Sequence, residues 1–356
     1  MRGRSWSSPK ALIPISASLL AITVWGSSAT VAKAQASSPA TLRSSSTLVV
    51  VPTLVQTQAR ESVYSLTARD FTLTDDGVLQ KIDVEANQSD SSRPLALVVL
   101  MQIGGAAKGQ FALYNHLDTM LADIAGKAPN KVAIVQFDSR PEYDSPFTSD
   151  IGEWADAINH PERGNDGAAI FDGLAYALDL LKQQPPNARR AILLISQQHD
   201  SGSETKIQDL VRELGENNTA VYSLSFSVEK AKLKEALTGP GHANPPLNLG
   251  GVEYQAYFDL GAPLALAIGA MRKNVAAETA SLSGGEPFVF SNKEHLDEAL
   301  NTVANHVKNG YTLSFQPSSP HPGLHTLKVS IPEHPDLIVH ARSSYWATAL
   351  GVVSQP

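Results

Sequence analysis

Leu95-Ala96-Leu97-Val98-Val99-Leu100-Met101 is an unbroken apolar run with no polar residue alternating through it. A strand with one face in water alternates, whereas a strand covered on both faces does not. The run therefore predicts a strand in the interior of a sheet. Shorter runs of the same kind recur at Val132–Phe137 (VAIVQF), Ala191–Ile195 (AILLI), Ala220–Phe226 (AVYSLSF) and Pro287–Phe290 (PFVF). Between them helical patterns cover Phe111–Ala125, Ile151–Asn159, Ala169–Leu181, Glu204–Leu214, Leu264–Leu282 and Lys293–Val307. Strands alternating with helices build right-handed βαβ units, so the expected class is α/β with a doubly wound, mostly parallel, Rossmann-like sheet.

On either side of this region the period changes to that of half-exposed strands. Upstream, Leu48–Val51 is β-branched and ends at Pro52, which suits an edge or a bulge. Phe71–Thr74 and Val78–Val84 flank Asp75-Asp76-Gly77, and Asp-Gly between two such runs predicts a hairpin turn with positive φ. Downstream of Gly310, Tyr311–Phe315, then Leu327, Val329 and Ile331, then Leu337–His340 read as three strands. Either end alone is too small to bury a core. The expectation is that residues 47–90 and 311–346 pair into one small β-sandwich-like module around an α/β domain at 91–310, with a tail at 347–356. Residues 238–261 (TGPGHANPPLNLGGVEYQAYFDLG) are too long for a bare connection and read as a loop insertion.

The first residues read as a leader. Arg2, Arg4 and Lys10 precede the apolar stretch 11–26, and Ala32-Lys33-Ala34 offers a small-residue cleavage site. Sixteen residues containing Pro14 fall short of the roughly 20 that a membrane span needs. Residues 1–34 are therefore expected to be a cleaved signal peptide, and 35–46 a disordered Ser-rich linker. Cleavage removes Arg2, Arg4, Lys10 and Lys33 and no acid. The chain is then exported, to the periplasm or beyond the cell, with no membrane span left.

Composition excludes several classes. Among 356 residues there is no cysteine, so disulfides, thiolate metal sites and a cysteine nucleophile are out. Lys and Arg number 28 against 35 Asp and Glu, a net charge of −7, and no basic stripe interleaves with aromatics, so no nucleic acid is expected as a partner.

Taken in order, several stretches resemble a known family. They are Leu66-Thr67-Ala68-Arg69-Asp70-Phe71, Asp75-Asp76-Gly77-Val78-Leu79-Gln80-Lys81-Ile82, the strand after Arg93-Pro94, Ala191–Ser196, and Ala277-Glu278-Thr279 ahead of Gly284-Gly285. Tyr311–Phe315 and Ala341-Arg342-Ser343-Ser344-Tyr345 complete the series. From about Thr47 to Trp346 the chain resembles the VWFA-related acidobacterial domain, a bacterial family of von Willebrand factor A-related proteins. The resemblance implies a fold used for ligand or protein binding, with a metal-ion-dependent adhesion site at the carboxyl edge of the sheet. In that site an Asp-x-Ser-x-Ser, a Thr and a further Asp supply oxygen ligands to one divalent cation. Carried over position by position, the acids fall on Gln102 and Gln197, the hydroxyls on Gly104 and Ala106, and the threonine on Ala168. Two neutral amides do not balance a divalent charge, so the resemblance implies a degenerate metal site, with no cofactor and no metal.

Asp138, Asp166, Asp172 and Asp200 fall at or near the same edge. They could form a relocated cation site or the acidic edge of a hydrolase, but Asp172 and Asp200 fit better as helix caps or acceptors of backbone amides. Ile103–Gly109 matches neither phosphate-loop pattern. His199-Asp200-Ser201 puts triad residue types side by side, whereas a working triad converges from separate loops. His321-x-x-x-His325 has metal-like spacing, but Pro322-Gly323 forces a turn and the segment reads as a hairpin loop. Tyr254, Tyr257 and Phe258 in the insertion read equally as interface anchors or as pins of the loop to the body. The functional expectation is an exported, non-enzymatic protein-binding or scaffold protein in the cell envelope. Its recognition edge would comprise residues 102–107, 164–169 and 197–201.

Overall fold

The computed structural model describes residues 48–86, 93–115, 117–125, 129–226, 263–318 and 321–348. The leader, the linker, the insertion with Tyr254, Tyr257 and Phe258, and most of the tail lie outside the described residues. The first strands are β1 (Val49–Gln56), β2 (Thr72–Asp75), β3 (Val78–Leu79), β4 (Ile82–Ala86) and β5 (Leu95–Gln102). The middle of the chain supplies β6 (Lys131–Phe137), β7 (Pro141–Thr148), β8 (Arg189–Gln197), β9 (Thr219–Phe226) and β10 (Pro287–Phe290). The end supplies β11 (Tyr311–Phe315), β12 (Gly323–Ser330), β13 (Ile338–Ala341) and β14 (Ser344–Ala347). Helices are α1 (Leu117–Ala125), α2 (Ile151–Asn159), α3 (Ile170–Lys182), α4 (Ile207–Glu216), α5 (Pro263–Lys273), α6 (Val275–Ser283) and α7 (Lys293–Asn309).

The opening apolar run is β5, buried at every residue. It lies inside a six-stranded sheet of order β10-β9-β8-β5-β6-β7, parallel except for β6 with β7. Leu95, Leu97, Val99 and Met101 pack on one face against Leu121 of α1, Trp154 of α2 and Leu300 of α7. Ala96, Val98 and Leu100 face Leu174 of α3, Leu210 of α4, Met271 of α5 and Val275 of α6. Helices on both faces explain the missing alternation. The strand order reverses at β5, between β6 and β8, which opens a crevice at their carboxyl ends.

Three elements of this region differ from the expectation. Edge strand β7 (PEYDSPFT) was not expected, because Pro141 and Pro146 mask it; an edge tolerates them. The helix expected over 264–282 is two helices, broken at Asn274, whose side chain accepts from Ala277 N at 3.0 Å and caps α6. The helix expected from Phe111 begins with 3-10 turns at 105–109 and 111–113, and the α-helix starts at Leu117.

The two ends of the chain pair as expected. One four-stranded sheet has the order β13-β1-β11-β4 and a second β14-β12-β2-β3, with Val51, Leu73, Leu313, Phe315, Leu327 and Tyr345 in the core between them. Within this module β1 is not an edge: it runs through Pro52 and lies between β11 and β13. Pro52 O accepts from Arg342 N on the β13 side, and the β13 ladder begins only at Thr53. The missing proline N–H thus points past the end of that ladder. The run 78–84 is likewise not one strand, since β3 belongs to one sheet and β4 to the other. The hairpin turn is as expected, with φ of 47° at Asp76 and 81° at Gly77.

Arg342 joins the module to the α/β body. Its buried guanidinium donates to Val50 O (3.1 Å), Ser344 O (2.6 Å) and Asn218 Oδ1 (2.9 Å), and to Leu214 O and Gly215 O in the last turn of α4. Burial pushes its pKa down to about 10, so it stays charged, where a cation suits the carbonyl end of a helix.

Candidate functional site

The crevice at the switch point is closed by two glutamines. Gln102 ends β5 and Gln197 ends β8, and both side-chain amides bond to protein partners. Gln102 Oε1 accepts from Gln197 N at 2.9 Å, while Gln102 Nε2 donates to Gly104 O at 3.0 Å and to Gln197 Oε1 at 3.3 Å. Gln197 Nε2 donates to His199 O at 2.7 Å. An N–H faces each side-chain oxygen and at least one oxygen faces each side-chain nitrogen, so the amide orientation follows from the partners. A carboxylate at 102 would set an oxygen against two oxygens.

The neighbouring loops fill the remaining space. A Cβ at Gly104 would overlap Gly167 O and lie 2.8 Å from Asp138 Cβ and 2.9 Å from Asn165 O. Any serine there collides with the backbone of the 164–168 loop. That loop is tied down by Gly105 N to Asn165 O (2.9 Å) and Gly164 N to Ile103 O (3.2 Å). Ala168 pairs with Ser201 as an isolated bridge, and Ala106 packs partly buried on the core. Gln102, Gly104, Ala168 and Gln197 are thus brought to one edge, with Ala106 turned to apolar contacts.

A family model described as von Willebrand factor type A domain matches residues 107–200. The chain carries a von Willebrand factor A domain. The match covers Ala168, Gln197 and the four aspartates and starts after Gln102, Gly104 and Ala106. Among curated proteins no match is found. An aerotolerance-related membrane protein from Bacteroides fragilis is 16% identical, covering 59% of this chain and 98% of its own, with a TM-score of 0.38. A von Willebrand factor type A protein from Catenulispora acidiphila is 10% identical, covering 74% of each chain, with a TM-score of 0.40. A point mutant of the PilB minor pilin from Streptococcus sanguinis is 12% identical over 62% of each chain, with a TM-score of 0.40. All three are distant likenesses.

Within the von Willebrand factor A domain three of the four aspartates bind backbone. Burial works against ionisation of Asp138, but the N–H groups of Asn165, Arg140 and Ser139 hold its carboxyl below the usual range. Asp172, in the first turn of α3, accepts from Glu204 N (3.0 Å) and Thr205 N (2.7 Å). Asp200 returns the contact, its Oδ1 accepting from Phe171 N (3.0 Å) and Ser203 Oγ (2.6 Å). Both accept backbone amides, Asp200 that of Phe171 in the first turn of α3 and Asp172 those of the residues ahead of α4. Asp166 is exposed and pairs with Lys108 at 3.0 Å. Among the described residues these four do not gather three ligand atoms at one point. The donor set at this edge therefore does not fit a hard divalent cation, which needs carboxylate charge and several free oxygens.

Sequence reasoning set aside the His321/His325 spacing as a hairpin loop and missed that Asp76 joins the pair. Asp76, His321 and His325 bring three ligand-type side chains together in the β-module. The histidine spacing and the Asp-Asp-Gly turn were each visible, but their meeting depends on β2 pairing with β12.

Proposed function

We propose that the chain is an exported, non-enzymatic protein-binding or scaffold protein of the cell envelope, and that its von Willebrand factor A loop edge recognises another protein without a bridging cation. The observation that carries this reading is the Gln102–Gln197 amide pair, which stands where the resemblance implies two acids and is bonded within itself and to Gly104 O and His199 O. Around it runs an exposed polar rim of Ser139, Arg140, Asn165, Asp166, His199 and Ser201. Such a rim matches a partner by hydrogen bonds rather than by one central charge. Export rests on the leader pattern at 1–34. The non-enzymatic reading is supported by Asp200, which is committed to Phe171 and Ser203 rather than to His199.

The test pairs a melt with a capture experiment. Saturating Mg²⁺ or Ca²⁺ should leave the melting temperature unchanged. A bound cation at 100 times its dissociation constant would add about 2.7 kcal/mol, or roughly 5–10 °C. A partner captured from an envelope extract should bind equally with and without Mg²⁺ and be lost on reversing the rim charges Arg140 and Asp166. Capture that requires Mg²⁺, or a melt raised by it, overturns the reading.

A further inference from the structure

The β2–β3 turn sits beside the start of β12, because β2 and β12 pair with Asp75 opposite Leu327. Asp76 is fixed by one oxygen: Oδ1 accepts from Thr326 N and Thr326 Oγ1, both at 2.9 Å. Its other oxygen, Oδ2, faces His321 Nε2 at 3.1 Å and His325 Nδ1 at 2.8 Å. His325 is buried, with 1% of its surface exposed, and its Nε2 lies 2.7 Å from His321 O. A carbonyl only accepts, so Nε2 carries a proton. Nδ1 is then left facing Asp76 Oδ2 and, at 3.0 Å, Asp75 Oδ1. A bare lone pair pressed against two carboxylate oxygens is repulsive, so this corner demands a positive centre.

A proton on Nδ1 is one such centre, and a metal ion is a stronger one. We propose that Asp76, His321 and His325 bind a divalent transition ion of the zinc class, which fastens the β2–β3 turn to the start of β12. Two imidazole nitrogens and one carboxylate oxygen are a donor set for zinc and not for magnesium or calcium. The three ligand atoms lie within 4.8 Å of one another. Tetrahedral bonds of about 2.0–2.1 Å separate ligand atoms by roughly 3.3 Å, so the two Asp76 contacts at 2.8 and 3.1 Å need open by only a few tenths, and the two imidazole nitrogens lie within 4.8 Å of each other. The surrounding groups are those that orient metal ligands. The His321 carbonyl holds the far nitrogen of His325, and Thr326 holds the far oxygen of Asp76. Tyr345 stacks on His325 at 4.6 Å and donates its hydroxyl to Asp75 at 2.8 Å. The His321 ring stacks on His325 at 4.0 Å, but its side chain is 62% exposed and can turn to direct Nε2 at the ion. Three protein ligands leave a fourth position on that open side. The site is remote in function from the recognition edge and does not depend on the reading given to it.

The experiment is calorimetric titration of the full chain, stripped of metal, with Zn²⁺ at pH 7.5, followed by a melt and by the visible spectrum of the Co²⁺ form. One equivalent of Zn²⁺ should bind, raise the melting temperature by several degrees, and yield to Co²⁺ with absorption typical of a tetrahedral centre. His321→Ala, at an exposed ring, should leave the metal-free melt unchanged and weaken binding by well over the roughly 10–100-fold that losing a supporting group costs. Asp76→Asn should weaken it likewise. No binding at 100 times the protein concentration, or binding that both variants retain, overturns the proposal.

Discussion

At the carboxyl ends of β5 and β8 polar atoms face one another in matched donor–acceptor pairs, whereas at the β2–β3 turn two carboxylates converge on imidazole nitrogens of His325 and His321. Gln102 and Gln197 exchange hydrogen bonds with each other and with Gly104 O and His199 O. Asp75, Asp76 and His325 cannot do so in the same way, since Nε2 of the histidine is already spent on a carbonyl. Both clusters sit at strand ends, and both are largely buried. What separates them is charge: amides let an edge close on itself, while carboxylates hold a place for a cation. The two clusters thus differ in kind, the sheet edge closed by neutral amides and the sandwich corner carrying the metal-like donors.

The contrast is broken most directly by placing an acid at the sheet edge. Gln102→Glu places an oxygen against Gly104 O and Gln197 Oε1 at a residue with no exposed surface. An unpaired buried charge costs about 3–5 kcal/mol, and at 2–4 °C per kcal/mol the melt should fall by roughly 10 °C at pH 7. Added Mg²⁺ should not recover the loss. A Mg²⁺-dependent recovery would mean that the edge retains a latent cation site and that the two clusters are of one kind.

How far each region was legible follows from the distance over which its contacts run. The non-alternating run at 95–101 reports burial on both faces, so the doubly wound sheet could be read from it, whereas Gln102 and Gln197 were singled out only through the family resemblance. The collision at Gly104 could not be read at all, because it depends on where the backbone of Gly167 comes to lie. Strand β7 was hidden because its prolines are tolerable only at an edge, and edge placement is a tertiary fact. The break at Asn274 lies inside an otherwise helical pattern, and capping became visible only with the φ change at that residue. The Asp75–His325 contact spans 250 residues. No local pattern reports it, although both halves stood out in the sequence.

Glu278 sharpens the contrast as a buried carboxyl with no cation. It is 5% exposed, as is Asp75, yet its Oε1 has no hydrogen-bond partner, and burial pushes its pKa up to about 7. A raised acid pKa means that the fold favours the protonated form. Its contribution is therefore fully present below the unfolded value of about 4.5 and is lost as pH rises through about 7. The ceiling on that loss is about 3 kcal/mol. Glu278→Gln should match the wild type in urea midpoint at pH 4 and exceed it at pH 8, by about 2 kcal/mol once some relaxation around the charge is allowed for. Equal midpoints at pH 8 would show that the buried carboxyl finds a partner on ionising and so resembles Asp75 after all.

Lys108 carries the smallest expected effect and asks what holds the sheet edge shut. Its ammonium meets Asp166 at 3.0 Å across a pair whose acid side chain is 96% exposed. Exposed pairs of this kind contribute little, because water screens the attraction and two long side chains must be held still. The 164–168 loop is instead fixed by the backbone bonds from Gly105 and Gly164 and by its close approach to Gly104. Lys108→Ala should leave the melting temperature where it is, within the error of a scanning measurement. A fall of several degrees would mean that charge, not close packing, keeps the loop on Gly104. The sheet edge and the sandwich corner would then differ in degree rather than in kind.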